Sequence, residues 1–267
     1  MKREPAVAGQ FYPGTRSSLE AELARYLKSE AKPKKALGAV APHAGYVYSG
    51  AVAGKVFAGV VVPERCIVLC PNHTGQGARA AVWARGSWSI PTGDIPVDEK
   101  LAQALLESCS DLKEDPTAHL GEHSLEVELP FLLARQPALS IVPICISRAD
   151  PAALSRIGEA IAKAIRAAGG DILIVASTDM NHYESDARTR EKDNLAIEKV
   201  LKLDAEGLVD TCAHHRISMC GVLPTAILIH ACRALGAKRA ELVAHATSGD
   251  VSGDRGSVVG YAGFIVD

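Results

Sequence analysis

The chain has 267 residues, 48% of them hydrophobic, with 29 Lys and Arg against 31 Asp and Glu. That length suits one large domain with a continuous core, and a formal charge of −2 argues against a partner such as nucleic acid or an anionic membrane. No apolar run approaches the roughly 20 residues that span a bilayer, no signal-type stretch follows Met1-Lys2-Arg3-Glu4-Pro5, and the seven cysteines are odd in number and scattered. A cytoplasmic protein without a disulfide framework is expected.

From the amino end, Leu19, Leu23 and Leu27 recur at four-residue spacing after Pro13-Gly14 and predict an amphipathic surface helix over 17–29. The short basic group Lys32-Pro33-Lys34-Lys35 links it to an apolar strand that starts near residue 36 and stops at His43. A close-packed helix over 49–58, N-capped by Ser49, returns to a second strand that ends at Pro71-Asn72-His73. Residues 80–97 carry Trp83 and Trp88 among alternating polar positions and turn at Pro91-Thr92-Gly93-Asp94, an antiparallel excursion able to wall a pocket. Helices are predicted over 98–108, 124–136 and 151–168, with a strand over 140–146. The next strand, from Asp171, runs to Asp179 and His182. A polar helix over 187–203, a short one near Asp204 and an apolar helix over 220–235 follow. Strands over 240–246 and 257–265 flank a glycine-rich turn at 248–254. This alternation predicts a single α/β domain over 1–267 with a mainly parallel central sheet flanked by helices.

Three apolar runs therefore stop at a histidine: His43, His73 and His182. Buried parallel strands point their carboxyl ends to one rim, which is where open α/β sheets bind ligands. Two neutral imidazoles, His43 and His73, suit Zn, Fe, Cu or Ni, and a third donor completes a face. Cys220 is chosen for that place. It lies in Ser218-Met219-Cys220-Gly221, where the positive potential of a helix N-terminus favours the thiolate. Asp179 and His182 stand three residues apart, so the carboxylate can orient the imidazole for proton transfer.

His119-Leu120-Gly121-Glu122-His123 matches the H-x-x-E-H pattern of inverted zinc peptidases. Gly121 disfavours the helix that the motif needs, so the helix is placed after it, from Ser124. Glu122 and His123 then line the rim, with His123 as proton donor to substrate and His119 on the surface. The loop Asp250 to Gly256 lacks the glycine position and the terminal Glu of a calcium loop, and His214-His215 diverge on a helix and are read as surface. No P-loop, G-x-G-x-x-G or G-x-S-x-G occurs.

Seven ordered motifs carry a resemblance over nearly the whole chain. They are residues 3–13 from Arg3 to Pro13, Pro42-His43-Ala44-Gly45-Tyr46, Pro71-Asn72-His73, Glu122-His123-Ser124-Leu125-Glu126, the stretch Ser177 to Tyr183, Met219-Cys220-Gly221 and the stretch Ser248 to Asp254. In these the chain resembles the Memo family, named for mediator of ErbB-driven cell motility, whose prokaryotic members are labelled protein B of the AmmeMemoRadiSam system. The resemblance implies a fold like that of class III extradiol ring-cleaving dioxygenases. It implies one transition metal ion, Fe, Cu or Zn, held by His43, His73 and Cys220. Asp179, His182 and His123 are then acid-base residues, and Glu122, Tyr46 and Asp250 contact substrate. The dioxygenases use a carboxylate as third ligand, and Cys220 in its place shifts preference toward Cu(I) or Zn.

A metal-dependent, oxygenase-like redox enzyme acting on a small molecule is the leading expectation. The alternatives are a scaffold that holds a peptide or phosphorylated ligand in the same cleft and a metal-dependent hydrolase. The resemblance also implies AMMECR-type and radical SAM proteins as partners.

Overall fold

The apolar runs become neighbouring parallel strands in the computed structural model, which describes residues Met1–Asp267. In chain order the first elements are β1 (Lys2–Arg3), α1 (Arg16–Tyr26), β2 (Gly38–Ala41), α2 (Tyr46–Gly59) and β3 (Arg65–Pro71). Then come β4 (Ala80–Val82), β5 (Ser87–Ile90), β6 (Gly93–Pro96), α3 (Glu99–Ser108), β7 (Lys113–Glu114), α4 (Leu129–Arg135), β8 (Ser140–Ile146) and α5 (Pro151–Ala168). The chain ends with β9 (Leu173–Ser177), β10 (His182–Glu184), α6 (Asp186–Leu201), α7 (Ala205–His215), α8 (Val222–Leu235), β11 (Ala240–Thr247), α9 (Gly249–Ser252) and β12 (Val258–Val266).

The nine-stranded sheet has the order β10-β12-β2-β9-β3-β8-β4-β7, with β11 also on β12. Its centre, β2-β9-β3-β8, is parallel, and its flanks are largely antiparallel through β12 on one side and β4 on the other. The expected α/β architecture is therefore present, with a mixed sheet. Register places Ala41 opposite Ser177 and Leu69 opposite Ala176, so β2, β9 and β3 all deliver their next residues to one rim. Helices cover both faces. A side chain added at Gly260 of β12 would meet Asp193 of α6, and one added at Gly263 would meet Val56 of α2, an odd spacing that reaches opposite faces of a pleated strand. One continuous hydrophobic cluster runs between these layers.

Several expectations change in detail. The first sheet helix starts at Tyr46 with Gly45 as its cap, and Ser49, the expected N-cap, lies inside the first turn with its hydroxyl on the Ala44 carbonyl. Residues 80–97 split: β4 joins the main sheet against β8, while β5 and β6 form a hairpin that pairs with β1 in a separate sheet. The helix expected from Ser124 begins as a 3-10 turn at Glu126–Glu128 and becomes α-helical only at Leu129. Its start is delayed because Glu126 is tied to the amino-terminal segment. It accepts hydrogen bonds from the Ala6 and Val7 N–H groups, the Tyr12 hydroxyl and Arg3. His119, read as surface, is fully buried between Trp83 and Trp88, with Nε2 on the Ala81 carbonyl. Its neighbours come from β4 and β5, and nothing within its own motif records them. No helix is long and apolar enough to cross a membrane.

Candidate metal centre

His43 and His73 are each held at both backbone and ring. His43 follows β2 and is 2% exposed. Its N–H donates to Asp179 Oδ1 at 2.9 Å, and its Nδ1 lies 2.7 Å from Ser177 Oγ, the last side chain of β9. His73 follows β3, where its N–H donates to Glu122 Oε2 and its Nδ1 lies 2.8 Å from Glu122 Oε1. His123 stacks on His73 with centroids 4.7 Å apart, and its Nδ1 is 3.5 Å from the same Oε1. In His43 and His73 the hydrogen-bonded Nδ1 leaves Nε2 for the cluster, the usual outer-shell arrangement of metal-binding histidines.

The donor atoms of His43, His73 and His123 all lie within 4.8 Å of one another. Metal–nitrogen bonds of about 2.0–2.1 Å place neighbouring donors of a tetrahedral ion roughly 3.4 Å apart, so small ring rotations bring these three onto one ion. The residues present fit a metal ion. His73 is the exposed member, which leaves an approach from solvent. Burial holds the imidazoles of His43 and His123 below the usual histidine range, in the neutral form a metal requires.

Cys220 Sγ stands 3.3 Å from His43 Nε2, accepts from the Asp179 N–H at 3.2 Å, and is not one of the three mutually close donors. The thiolate expected from a helix N-terminus is corrected by its surroundings. The helix α8 starts beyond it at Val222, and burial together with the Asp179 carboxyl pushes the Cys220 thiol up. Gly221 lets this segment approach β9, because a side chain there would overlap the Ser177 carbonyl.

The remaining site residues have the following places. Asp179 does not hydrogen-bond His182. Its Oδ1 accepts from the His43 and Ala44 N–H groups, and Oδ2 lies 4.0 Å from His43 Nε2. Burial raises the Asp179 carboxyl to about 7. His182 keeps its N–H on Ser218 Oγ and has a buried Nδ1 without a partner. Glu122, expected at the substrate, is fully buried beneath His73 and also accepts from Ser124 Oγ at 2.7 Å. Burial alone would raise its carboxyl, but the hydrogen bond and charge of the His73 ring outweigh that and bring it to about 2. Tyr46, also expected at the substrate, is 2% exposed, donates its hydroxyl to the Val127 carbonyl and packs on Phe131. Asp250 has both oxygens engaged by Arg190, and its Oδ2 also accepts the Thr247 N–H.

Three residues of the site were not among those expected: Ser124, Ser177 and Glu128. The run Leu125-Glu126-Val127-Glu128-Leu129 held a signal, since two carboxylates alternating with apolar residues are costly to bury without a purpose. Ser177 carried none, because a serine closing an apolar strand is unremarkable by itself.

Fold and site together define an α/β protein with an imidazole donor cluster at the carboxyl rim of a parallel sheet centre. A family model described as Memo-like protein matches residues 3–265, and the chain belongs to that family. It is 42% identical to a MEMO1 family protein of Methanosarcina acetivorans over 267 residues, 99% of each chain. It is 40% identical to the MEMO1 family protein MK0963 of Methanopyrus kandleri, again over 99% of each chain. The solved structure of the uncharacterized protein JW3007 from Escherichia coli K12 matches with a TM-score of 0.51 and 19% identity, covering 85% of this chain and 98% of that one. That likeness is one of fold alone.

Proposed function

We propose that this Memo-family protein binds one transition metal ion through His43, His73 and His123 and, with Fe or Cu in that place, carries out an oxygenase-like redox reaction on a small molecule, whereas Zn there would point to hydrolysis. The observation that carries this reading is the convergence of three imidazoles from three separate segments, two of them with Nδ1 already hydrogen-bonded. Three protein ligands with one solvent-facing member resemble catalytic metal sites, which keep a position open, more than closed structural ones. A bound Fe or Cu would supply electron transfer to an oxidant at that position.

The chain's own groups have distinct tasks in this reading. Glu122 orients His73, and Ser177 orients His43. Cys220, beside His43 Nε2, is an additional donor that comes into use when its thiol is deprotonated by metal binding. His182, with its partnerless Nδ1, is the group free to move a proton at the rim. Asp179 steadies the loop that carries His43.

The test is metal analysis of protein purified without oxygen, alongside His73→Ala and Cys220→Ser variants. Stoichiometric Fe or Cu lost in His73→Ala supports the reading, and a lower affinity or altered spectrum in Cys220→Ser assigns the sulfur as a donor. Stoichiometric Zn that survives air would favour a hydrolase, and failure to bind any of the three ions would overturn metal catalysis in favour of a binding protein.

A further inference from the structure

The Ser177 hydroxyl sits at a junction whose proton count can be worked out. Its Oγ is 2.7 Å from the Ser124 carbonyl oxygen, 2.8 Å from Glu128 Oε1 and 2.7 Å from His43 Nδ1. A serine hydroxyl has one proton to give and two lone pairs to receive. The Ser124 carbonyl can only accept, so the Ser177 proton goes there. The other two contacts must then each bring a proton, one on His43 Nδ1 and one on Glu128 Oε1. An ionised Glu128 would leave two oxygens 2.8 Å apart with no proton between them, unless Ser177 abandoned the carbonyl.

The surroundings of Glu128 agree with this count. The residue is fully buried, and its Oε2 has no hydrogen-bond partner. For a carboxylate that would mean a buried charge with at most one donor, whereas for the acid it is a single unmade acceptor. No cation faces it. The titratable neighbours are Asp179, which supplies no positive charge, and Tyr46, whose hydroxyl is committed to the Val127 carbonyl. Burial raises the Glu128 carboxyl well above the usual carboxylate range.

We propose that Glu128 is a neutral carboxylic acid at physiological pH and a positioning residue: through Ser177 it locks His43 in the tautomer that turns the Nε2 lone pair toward the donor cluster. The use of that lone pair rests on the metal-centre reading, but the protonation pattern does not. A neutral acid is suited to the task because it orders the ring without burying an uncompensated negative charge beneath the donor atoms.

The test uses the full-length, metal-free protein. The infrared difference between wild type and Glu128→Gln at pH 7 is expected to show one protonated carboxylic acid lost, and nitrogen NMR is expected to place the His43 proton on Nδ1 in both. Gln, whose amide can donate to Ser177, should keep wild-type affinity for Zn2+ alone, while Glu128→Leu should weaken it about 10-fold and mix the His43 tautomers. A carboxylate signal in place of the acid, or His43 protonated on Nε2 in wild type, overturns the proposal. So does a Gln variant that loses Zn2+ as badly as Leu. Should the Leu variant fail to fold, the infrared and NMR comparison decides alone. If no form binds Zn2+, the metal reading fails while the acid and tautomer results still judge Glu128.

Discussion

The side chains that matter most at this rim are those that hold other side chains still. Glu122 serves both the backbone and the ring of His73, lies within 3.5 Å of the His123 ring, and accepts from both the N–H and the hydroxyl of Ser124. Replacing it with Ala is expected to weaken Zn2+ binding by about 10- to 100-fold, the usual cost of losing such an outer partner, read by chelator competition. An unchanged affinity would mean that His73 needs no orientation or is not a ligand. Of these residues, His43 and His73 were legible in the sequence because each terminates a buried strand. Glu122 was read at the rim, but its role under His73 was not, because the two are 49 positions apart and meet only through packing. His123 was visible as a rim residue and was given a different task.

At the scale of elements, the loops between strands and helices are fastened by a few buried polar links. Arg3 donates to the Glu122 and His119 carbonyls and pairs with Glu126 at 2.6 Å, with both side chains almost fully buried. The two-residue strand β1 thus anchors the segment that carries Glu122 and His123. Arg3→Met removes one partner of a buried ion pair and should destabilise the protein by about 3–5 kcal/mol in urea denaturation. A smaller loss would show that water reaches Glu126. Gly221 is the second fastening, where α8 closes on the end of β9. Gly221→Ala has no room beside the Ser177 carbonyl and the Thr178 side chain and must shift the segment that carries Cys220. It should alter the spectrum of a Co2+- or Cu2+-loaded protein as Cys220→Ser does, with little effect on the far-UV circular dichroism. Helix and strand positions were mostly readable from periodicity, as for α5 and β8, whose bounds are those expected. The start of α4 was not, because the Glu126 contacts that delay it arise from residues 3–12.

Over the whole molecule, surface ion pairs knit the carboxyl-terminal third together, and Lys34 ties its end to the segment before β2. Hydrogen bonds from Thr247, Arg190 and Arg255 hold the Asp186 carboxyl at about 2, and Arg239 and Lys34 do the same for Asp267. A carboxylate whose folded value lies below its unfolded value of about 3.9 stabilises the fold above that value and loses this contribution as pH falls toward 2. The stability gap between wild type and an Asp186→Asn, Asp267→Asn double variant should therefore be constant above about pH 5, shrink as pH falls and close only near pH 1, followed by urea titration at each pH. A gap undiminished near pH 1 would assign the effect to packing instead. By itself the sequence determined the α/β alternation, the strands that lead into His43 and His73, and the family, because hydrophobic period and short motifs are local properties of the chain; the strand expected to run to His182 instead stops at Ser177, and His182 opens the edge strand β10. Only the tertiary structure decided which donors converge and who orients them, including the choice of His123 as the third imidazole and the Ser177–Glu128 support under His43. Those relations depend on strand order and register, which bring residues from distant segments within 3 Å and leave no mark in the spacing along the chain.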